Sequence, residues 1–177
     1  MKAIGFAGYS GSGKTQLVES VVAALGLRGL RVSVAKHAHH AFDIDHPGKD
    51  SWRHRQAGAF EVVIASEKRL ALMREFEQPA RLTVHHLLAE LWGGVDWALV
   101  EGFKGSDLPK IEVWRPDAGH PARYPDDDFV VAIATDAPDR LPQATLRPVL
   151  DLNDPDAVAQ WLVDNGDRFD YVAEKYT

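Results

Sequence analysis

The eight residues GYSGSGKT, from Gly8 to Thr15, constrain the fold of this chain more than any other stretch. They match the pattern G-x-x-x-x-G-K-[ST]. They lie between an apolar run, KAIGFAG, and a segment with helical periodicity, KTQLVESVVAALGLRG. A buried strand, a glycine-rich turn and a helix in that order place successive backbone N–H groups where they can bind an anion. The sequence therefore predicts a phosphate-binding loop that opens an α/β fold.

Each residue type in this loop has its own chemical purpose. The glycines permit positive φ angles and a close approach of the backbone to phosphate oxygens. Lys14 offers an ammonium to the β and γ oxygens of a nucleotide, and the hydroxyl of Thr15 can bind Mg²⁺. The candidate nucleotide-binding residues of the loop and the first helical turn are Gly11, Ser12, Gly13, Lys14, Thr15 and Gln16.

Composition narrows the class of protein further. At 177 residues the chain has the length of one domain, so we expect a single nucleotide-binding domain over residues 1–177. A net charge of −6 is unfavourable for a nucleic-acid surface, and no segment approaches the roughly 20 apolar residues that span a bilayer. The sequence contains no cysteine, which excludes disulfides and thiolate sites. We expect a cytoplasmic protein that binds neither nucleic acid nor membrane.

Short apolar runs alternate with helical patterns, and this alternation predicts an α/β fold. Runs without polar alternation are typical of a mostly parallel sheet with helices on both faces. FEVVIAS and RLALMRE are close enough to pair as an antiparallel hairpin, with its turn at Ser66 to Lys68. Together with the KIEVWR insertion, this hairpin is expected to make one part of the sheet antiparallel.

Shorter stretches carry local predictions. DSWRHRQAG is expected to be a short helix capped by Asp50 or Ser51, and NDPDAVAQWLVDN a helix capped by Asn153 or Asp154. The adjacent histidines of the helix LTVHHLLAELW are expected to be surface or interface side chains. YPDDDF is expected to be a solvated acidic turn.

The stretch WALVEGF provides the acidic group that a phosphate loop needs. It places Glu101 at the end of an apolar strand, followed by a glycine that lets the chain turn away beside the phosphates. A carboxylate in that position can hold or orient the water of a metal ion. The candidate catalytic residues are Glu101 and Lys14, and the candidate metal ligands are Thr15, Asp45 and Glu101.

The stretch KHAHHAFDIDHPGKDS, residues 36–51, is dense in imidazoles and carboxylates. It fits either a transition-metal site or a polar loop whose histidines contact phosphate, a partner or water. Hard oxygen ligands suit Mg²⁺, which makes Asp43, Asp45 and Asp50 candidates for that ion, while Lys49 is a candidate for a phosphate. The histidines of this stretch are His37, His39, His40 and His46.

Recognition of the base is less well determined by the motifs. Many guanine-specific proteins read the base with N-K-x-D, and no such tetrapeptide occurs here. IATDAPDR places Asp136 at the end of a late apolar strand, where it can act as the base reader or as a turn or cap residue. The residues alone therefore leave GTP and ATP open.

Four stretches together resemble one family, the molybdopterin-guanine dinucleotide biosynthesis adaptor proteins or MobB family. They are GYSGSGKT, KHAHHAFDIDHPGKDSWRHRQAGA, LVEGFK followed by PKIEVWR, and VAIATD. The resemblance covers nearly the whole chain and implies a P-loop NTPase-like, GTP-binding fold. It also implies a homodimer, weak GTP hydrolysis, and association with the guanylyltransferase that converts molybdopterin cofactor to its guanine dinucleotide form.

Carried over residue by residue, the resemblance gives the loop its ligands. Gly11, Gly13, Lys14 and Thr15 would bind the GTP phosphates and Mg²⁺, and Glu101 would serve the metal or the attacking water. Two alternatives stay open. One is an ATP-dependent kinase or ligase of the dethiobiotin synthetase type, and the other is a metallochaperone that uses the histidine-rich stretch.

Overall fold

The structure is a computed structural model that describes residues 1–38 and 42–172. The chain divides into two compact units, Met1–His37 with Leu82–Thr177 and, separately, Ala38–Arg81. The single nucleotide-binding domain expected over residues 1–177 stays a prediction. The strands are β1 (Lys2–Ala7), β2 (Val32–Lys36), β3 (Glu61–Ala65), β4 (Leu70–Arg74), β5 (Trp97–Glu101), β6 (Lys110–Val113), β7 (Val130–Thr135) and β8 (Val149–Asp151). The α-helices are α1 (Lys14–Leu27), α2 (Asp50–Gln56), α3 (Val84–Ala89) and α4 (Pro155–Asp164).

The first unit is built on a six-stranded sheet with the order β2-β5-β1-β6-β7-β8. Every pair of neighbouring strands in it is parallel. The mostly parallel sheet predicted from the apolar runs is therefore confirmed. β1 lies in the interior of the sheet, between β5 and β6, so the loop that follows it has a strand end on either side.

Helices cover both faces of this sheet. On one face, α1 and α4 pack over a cluster that includes Phe6 and Leu99. On the other face, Val84 and Leu88 of α3 belong to a second cluster with Val100. Successive side chains of a strand point to opposite faces, so β5 is buried at every position and reads as a continuous apolar run.

The expectation that KIEVWR makes part of this sheet antiparallel is wrong. β6 is parallel to both β1 and β7. Its alternation of charged and apolar residues resembles a half-exposed strand, yet Lys110 and Glu112 are each 1% exposed. Lys110 Nζ donates to the carbonyl of Ser106 at 2.5 Å, and the Glu112 carboxylate accepts the backbone N–H groups of Arg123 and Tyr124 at 2.7 and 2.8 Å. Local partners thus allow charged residues in a central strand.

The expectation that YPDDDF is a solvated acidic turn holds for Asp126 and Asp128, which lie exposed in the turn, but not for Tyr124 and Asp127. Tyr124 is 1% exposed, and the Asp127 side chain is only 11% exposed. Asp127 pairs at 3.4 Å with both Lys110 and Arg123. Burial lowers the pKa of Lys110 and raises the pKa of Glu112, and the partners named offset part of the cost of burying each charge.

The N-terminal cap predicted for α4 is confirmed, and the cap predicted for α2 is not. Asp154 caps α4 by accepting the N–H of Ala157 at 2.9 Å, which confirms one of the two predicted caps. The predicted caps of α2 are wrong, because the residue before that helix is Lys49, which makes no side-chain cap. Ser51 Oγ instead donates to Asp45 at 2.8 Å.

The second unit contains the predicted hairpin. β3 and β4 form their own two-stranded antiparallel sheet, with Val63 opposite Leu72 and Ala65 opposite Leu70. The N–H of Ser66 donates to the carbonyl of Arg69 at 2.8 Å and closes the turn, as predicted. Among the described residues, no helix combines the length and apolar character needed to cross a bilayer.

We predict that Leu99→Ala lowers the free energy of unfolding by about 2–5 kcal/mol, because it leaves a cavity in the buried cluster to which α1 and α4 also contribute. Leu146→Ala is the matched control, since Leu146 is fully exposed and its truncation should change stability by less than about 0.5 kcal/mol. Urea unfolding of both variants measures the difference. Equal losses in the two variants would contradict this account of the core.

Candidate functional site

The loop between β1 and α1 has the backbone shape that its glycines predict. Gly8, Gly11 and Gly13 adopt φ angles of 151°, 80° and 91°. A Cβ at Gly8 would lie 2.4 Å from the carbonyl oxygen of Val113, so only glycine fits there. Gly13 is the residue before α1 and turns the chain into the helix in a left-handed conformation.

The start of α1 has no capping side chain and no acidic residue in its first turn. The backbone N–H groups of Lys14, Thr15 and Gln16 therefore begin a 14-residue helix without a capping group. Ser12 is 3% exposed, and its hydroxyl has no hydrogen-bond partner within residues 1–38 and 42–172. Open helix N–H groups beside a buried hydroxyl are well suited to an anion.

The ammonium of Lys14 is held by the loop itself. Its Nζ donates to the carbonyl of Tyr9 at 2.7 Å. Burial lowers the pKa of Lys14, and the positive charges of Lys36 and Lys104 act in the same direction, while Glu101 opposes them. The loop is thus surrounded by more positive charge than it can neutralise locally, which favours an anionic ligand.

Glu101 joins the end of β5 to the start of α1. The hydroxyl of Thr15 donates to Glu101 Oε1 at 2.6 Å, and Lys36 Nζ lies 3.2 Å from the same oxygen. The Glu101 residue is 7% exposed. The structure therefore brings together two of the three predicted metal ligands, Thr15 and Glu101, as a hydroxyl and a carboxylate of the kind that Mg²⁺ prefers.

Sequence reasoning missed an aromatic cluster at the mouth of the loop. The rings of Tyr9 and His120 stack with centroids 4.5 Å apart, and Lys104 Nζ lies 4.7 Å from the Tyr9 ring centroid. The carbonyl of His120 accepts from Trp114 Nε1 at 3.1 Å, which fixes its backbone. The sequence did contain one indication of this cluster. Lys104 comes three residues after Glu101, at the end of β5, which places it near the loop.

Sequence reasoning also missed Arg115, the last residue of KIEVWR. Its guanidinium lies beside Gly13, where a Cβ, if present, would be 3.6 Å from Nε and Nη2. Arg115 Nε also lies 3.4 Å from Asp136 Oδ2. The predicted base reader Asp136 thus pairs with a cation that lies beside the phosphate loop.

The remaining predicted metal ligand, Asp45, belongs to the second unit, and its role stays a prediction. Its carboxylate accepts from Ser51 Oγ and from the N–H of His46, at 2.8 and 2.9 Å, and lies 3.1 Å from Arg55 Nη1. Arg55 also pairs with Asp43 at 3.0 Å, as well as with Glu75 at 2.6 Å. Within this unit Asp45 therefore takes part in an ion-pair cluster centred on Arg55.

The histidine predictions have mixed outcomes. His39 and His40 lie outside the described residues, and the described part of the chain holds no group of three or more metal-ligating side chains. His85 is not simply a surface side chain, because its ring bonds Asp107 at 2.8 Å and Tyr171 at 3.0 Å. The ring of His86 accepts the N–H of Thr83 in a capping box at the start of α3.

These features meet because parallel strands end at a common edge. The glycine loop follows β1, Glu101 ends β5, Arg115 follows β6 and Asp136 follows β7. The uncapped helix start, the Lys14 ammonium and the Thr15–Glu101 pair are a donor set that fits a phosphate chain with a hard divalent cation. Chemically, this arrangement can bind a nucleotide.

A parallel sheet with this loop between its first strand and first helix defines a P-loop NTPase-like fold. The family described as "Molybdopterin guanine dinucleotide synthesis protein B" matches residues 3–136. The chain belongs to this family, MobB.

Individual relatives agree with that membership. A molybdopterin-guanine dinucleotide biosynthesis adapter protein from Escherichia coli is 40% identical over 163 residues, which cover 91% of each chain. The adapter protein from Haemophilus influenzae is 41% identical over 153 residues, covering 85% of this chain and 81% of the relative. The crystal structure of a MobB protein homolog from Bacillus stearothermophilus superimposes with a TM-score of 0.67 and 26% identity, covering 95% and 99% of the two chains.

The ion-pair cluster of the second unit predicts a pH-dependent stability. A backbone hydrogen bond and Arg55 lower the pKa of Asp43. At Asp45, desolvation is outweighed by hydrogen bonds from Ser51, His46 and Arg55, so its pKa is lowered too. A lowered carboxyl pKa contributes stability that is present above the ordinary value of 3.8 and is lost as the pH falls below it.

We therefore expect Arg55→Gln to destabilise the protein at pH 7 and to have a progressively smaller effect as the pH falls below 3.8. Urea unfolding of both proteins across this pH range measures the difference. Arg69→Gln, at the exposed hairpin turn, is the control and should have little effect at any pH in this range. A difference between Arg55→Gln and the unaltered protein that stays constant with pH would show that the ion pairs contribute nothing to stability.

Proposed function

We propose that this chain is a GTP- and Mg²⁺-binding adapter in molybdopterin-guanine dinucleotide biosynthesis. Membership in the MobB family and the adapter names of its relatives support the pathway. The observation that carries the proposal of a nucleotide–metal site is the 2.6 Å hydrogen bond from Thr15 Oγ1 to Glu101 Oε1. It joins the helix that receives the phosphates to the strand that supplies the carboxylate.

In the proposed binding mode the loop keeps its backbone shape and Lys14 changes its hydrogen-bond partner. The N–H groups of residues 11–16 and the hydroxyl of Ser12 surround the phosphates, and Lys14 exchanges the Tyr9 carbonyl for a phosphate oxygen. Thr15 and Glu101 would hold Mg²⁺, which when bound neutralises charge on the phosphates. Loss of the Lys14–Tyr9 bond is offset by a charge-assisted bond to the phosphate.

We assign guanine as the base through Asp136. Its carboxylate follows β7 and is 31% exposed, so it is accessible to a base at this edge of the sheet. An ionised carboxylate accepts the N1–H and N2–H donors of guanine, whereas adenine offers a lone pair at N1. In this proposal Asp136 takes the role that the aspartate of an N-K-x-D segment has in other guanine-specific proteins.

We propose that hydrolysis by the chain itself is slow. The carboxylate beside Thr15 already accepts from Thr15 and pairs with Lys36, so it is a weak proton acceptor for water. A protein that holds GTP with little turnover can present it to a guanylyltransferase partner, which would convert the molybdopterin cofactor into its guanine dinucleotide form. The catalytic roles proposed for Glu101 and Lys14 are thus limited to this slow hydrolysis. We also propose that the protein acts in the cytoplasm.

A homodimer is also part of the proposal. On the hairpin, Val63, Leu70 and Leu72 share one face of the two-stranded sheet and are 55%, 69% and 41% exposed. Isolated two-stranded sheets are marginal in water, so we propose this apolar face as the contact for a second copy.

A titration with GTP and ATP, with and without Mg²⁺, tests the nucleotide site. We predict that Lys14→Ala weakens GTP binding ten- to hundredfold, because a charge-assisted contact contributes about 1.5–3 kcal/mol. Lys68→Ala, at the exposed hairpin turn, is the matched control and should bind GTP normally. Unchanged affinity in a folded Lys14→Ala variant would mean that the loop does not hold the phosphates.

The same titration separates the alternatives. Preference for ATP, with release of ADP in the presence of a small-molecule acceptor, would favour a kinase or ligase over the adapter. Turnover that requires the guanylyltransferase would support the adapter. Micromolar binding of Ni²⁺ or Zn²⁺ by calorimetry would instead favour a metallochaperone.

A further inference from the structure

Arg115 occupies a position between the phosphate loop and the candidate base reader. Its guanidinium lies beside Gly13, where a Cβ, if present, would be 3.6–3.7 Å from Nε, Nη2 and Cζ. On its other side, Nε is 3.4 Å from Asp136 Oδ2. A nucleotide with phosphates in the loop and its base at Asp136 must therefore pass beside this guanidinium.

A second ion pair links the same two segments. Asp117 and Arg140 pair at 2.9 Å, so the segments that follow β6 and β7 are joined twice, with the roles of acid and base exchanged. The simplest interpretation is that both pairs only hold the two segments together. Surface pairs of this kind contribute little to stability.

The two pairs differ in their surroundings. The side chains of Arg140 and Asp117 are 59% and 85% exposed, whereas those of Arg115 and Asp136 are 34% and 31% exposed. The Nε atom of Arg115 is buried and, within the described part of the chain, lacks a partner in hydrogen-bond geometry. Water screens a partly buried pair less than an exposed one, so the charge of Arg115 acts on Asp136 more strongly than Arg140 acts on Asp117.

We propose that Arg115 is a positioning residue for base recognition, which holds the ionised Asp136 carboxylate beside the phosphate loop so that it accepts the guanine N1–H and N2–H. This inference rests on the proposed function, and it assigns the specificity of that site to a pair of residues. A planar guanidinium can fix a carboxylate through one edge and leave the other oxygen to the base. Because Arg115 also lies beside Gly13, it places the base reader next to the loop.

The test is a double-mutant cycle on GTP and ATP affinity. The variants are Arg115→Met, which keeps the apolar stem and removes the charge, Asp136→Ala, and the two combined. Arg140→Ala is the matched control because it removes the exposed pair that links the same segments. Thermal unfolding confirms that each variant is folded, and Arg115→Lys provides a milder change if Arg115→Met is not.

We expect Arg115→Met to weaken GTP binding about tenfold and ATP binding by less than about threefold, because only guanine uses the Asp136 carboxylate. Adding Asp136→Ala should then cause little further loss of GTP affinity. Arg115→Lys should retain part of the preference for GTP, and Arg140→Ala should bind both nucleotides normally.

Two other outcomes would overturn the inference. Equal weakening of GTP and ATP by Arg115→Met, additive with Asp136→Ala, would make Arg115 a phosphate contact. Unchanged binding of both nucleotides would make the pair a link between segments only. Failure of the proposed function is recognised separately, because the unaltered protein would then show no preference for GTP or no loss of binding with Lys14→Ala.

Discussion

The strands of the first unit's six-stranded sheet all run in one direction, and the candidate site depends on this constraint. Parallel strands end at the same edge, so the loop after β1 lies between the end of β5 and the end of β6. Glu101 and Arg115 reach the loop from these two neighbours, on opposite sides of it. When neighbouring parallel strands end in polar residues, those residues line one edge of the sheet. Such an edge can bind an extended ligand.

Charge at this edge is not balanced by the protein alone. The pKa of Lys14 is lowered by two nearby ammonium groups, those of Lys36 and Lys104. The Glu101 carboxylate acts in the opposite direction. Lys14 meanwhile bonds a neutral carbonyl of its own loop. Three ammonium groups thus share one carboxylate, and the excess of positive potential favours binding of a phosphate chain. The family's place in nucleotide-containing cofactor synthesis agrees with this reading.

Local patterns predicted the parts of the structure that depend on local chemistry. The loop glycines, Glu101 at a strand end and the Asp154 cap each follow from a few adjacent residues. The direction of β6 could not be predicted from adjacent residues. Lys110 and Glu112 have the sequence pattern of solvent-exposed residues, and only their partners in the fold explain their burial. Arg115 was missed for a related reason. Its meaning comes from Gly13 and Asp136, which lie about 100 and 20 residues away in the chain and meet only through the sheet order.

The most direct test of the central claim is a crystal structure of the chain with a non-hydrolysable GTP analogue and Mg²⁺. The account predicts the triphosphate within the loop of residues 8–15, the Lys14 ammonium moved from the Tyr9 carbonyl to a phosphate oxygen, and Mg²⁺ beside Thr15 and Glu101. The guanine would lie against Asp136. An analogue bound elsewhere, or one bound while Lys14 remains on Tyr9, would contradict the account.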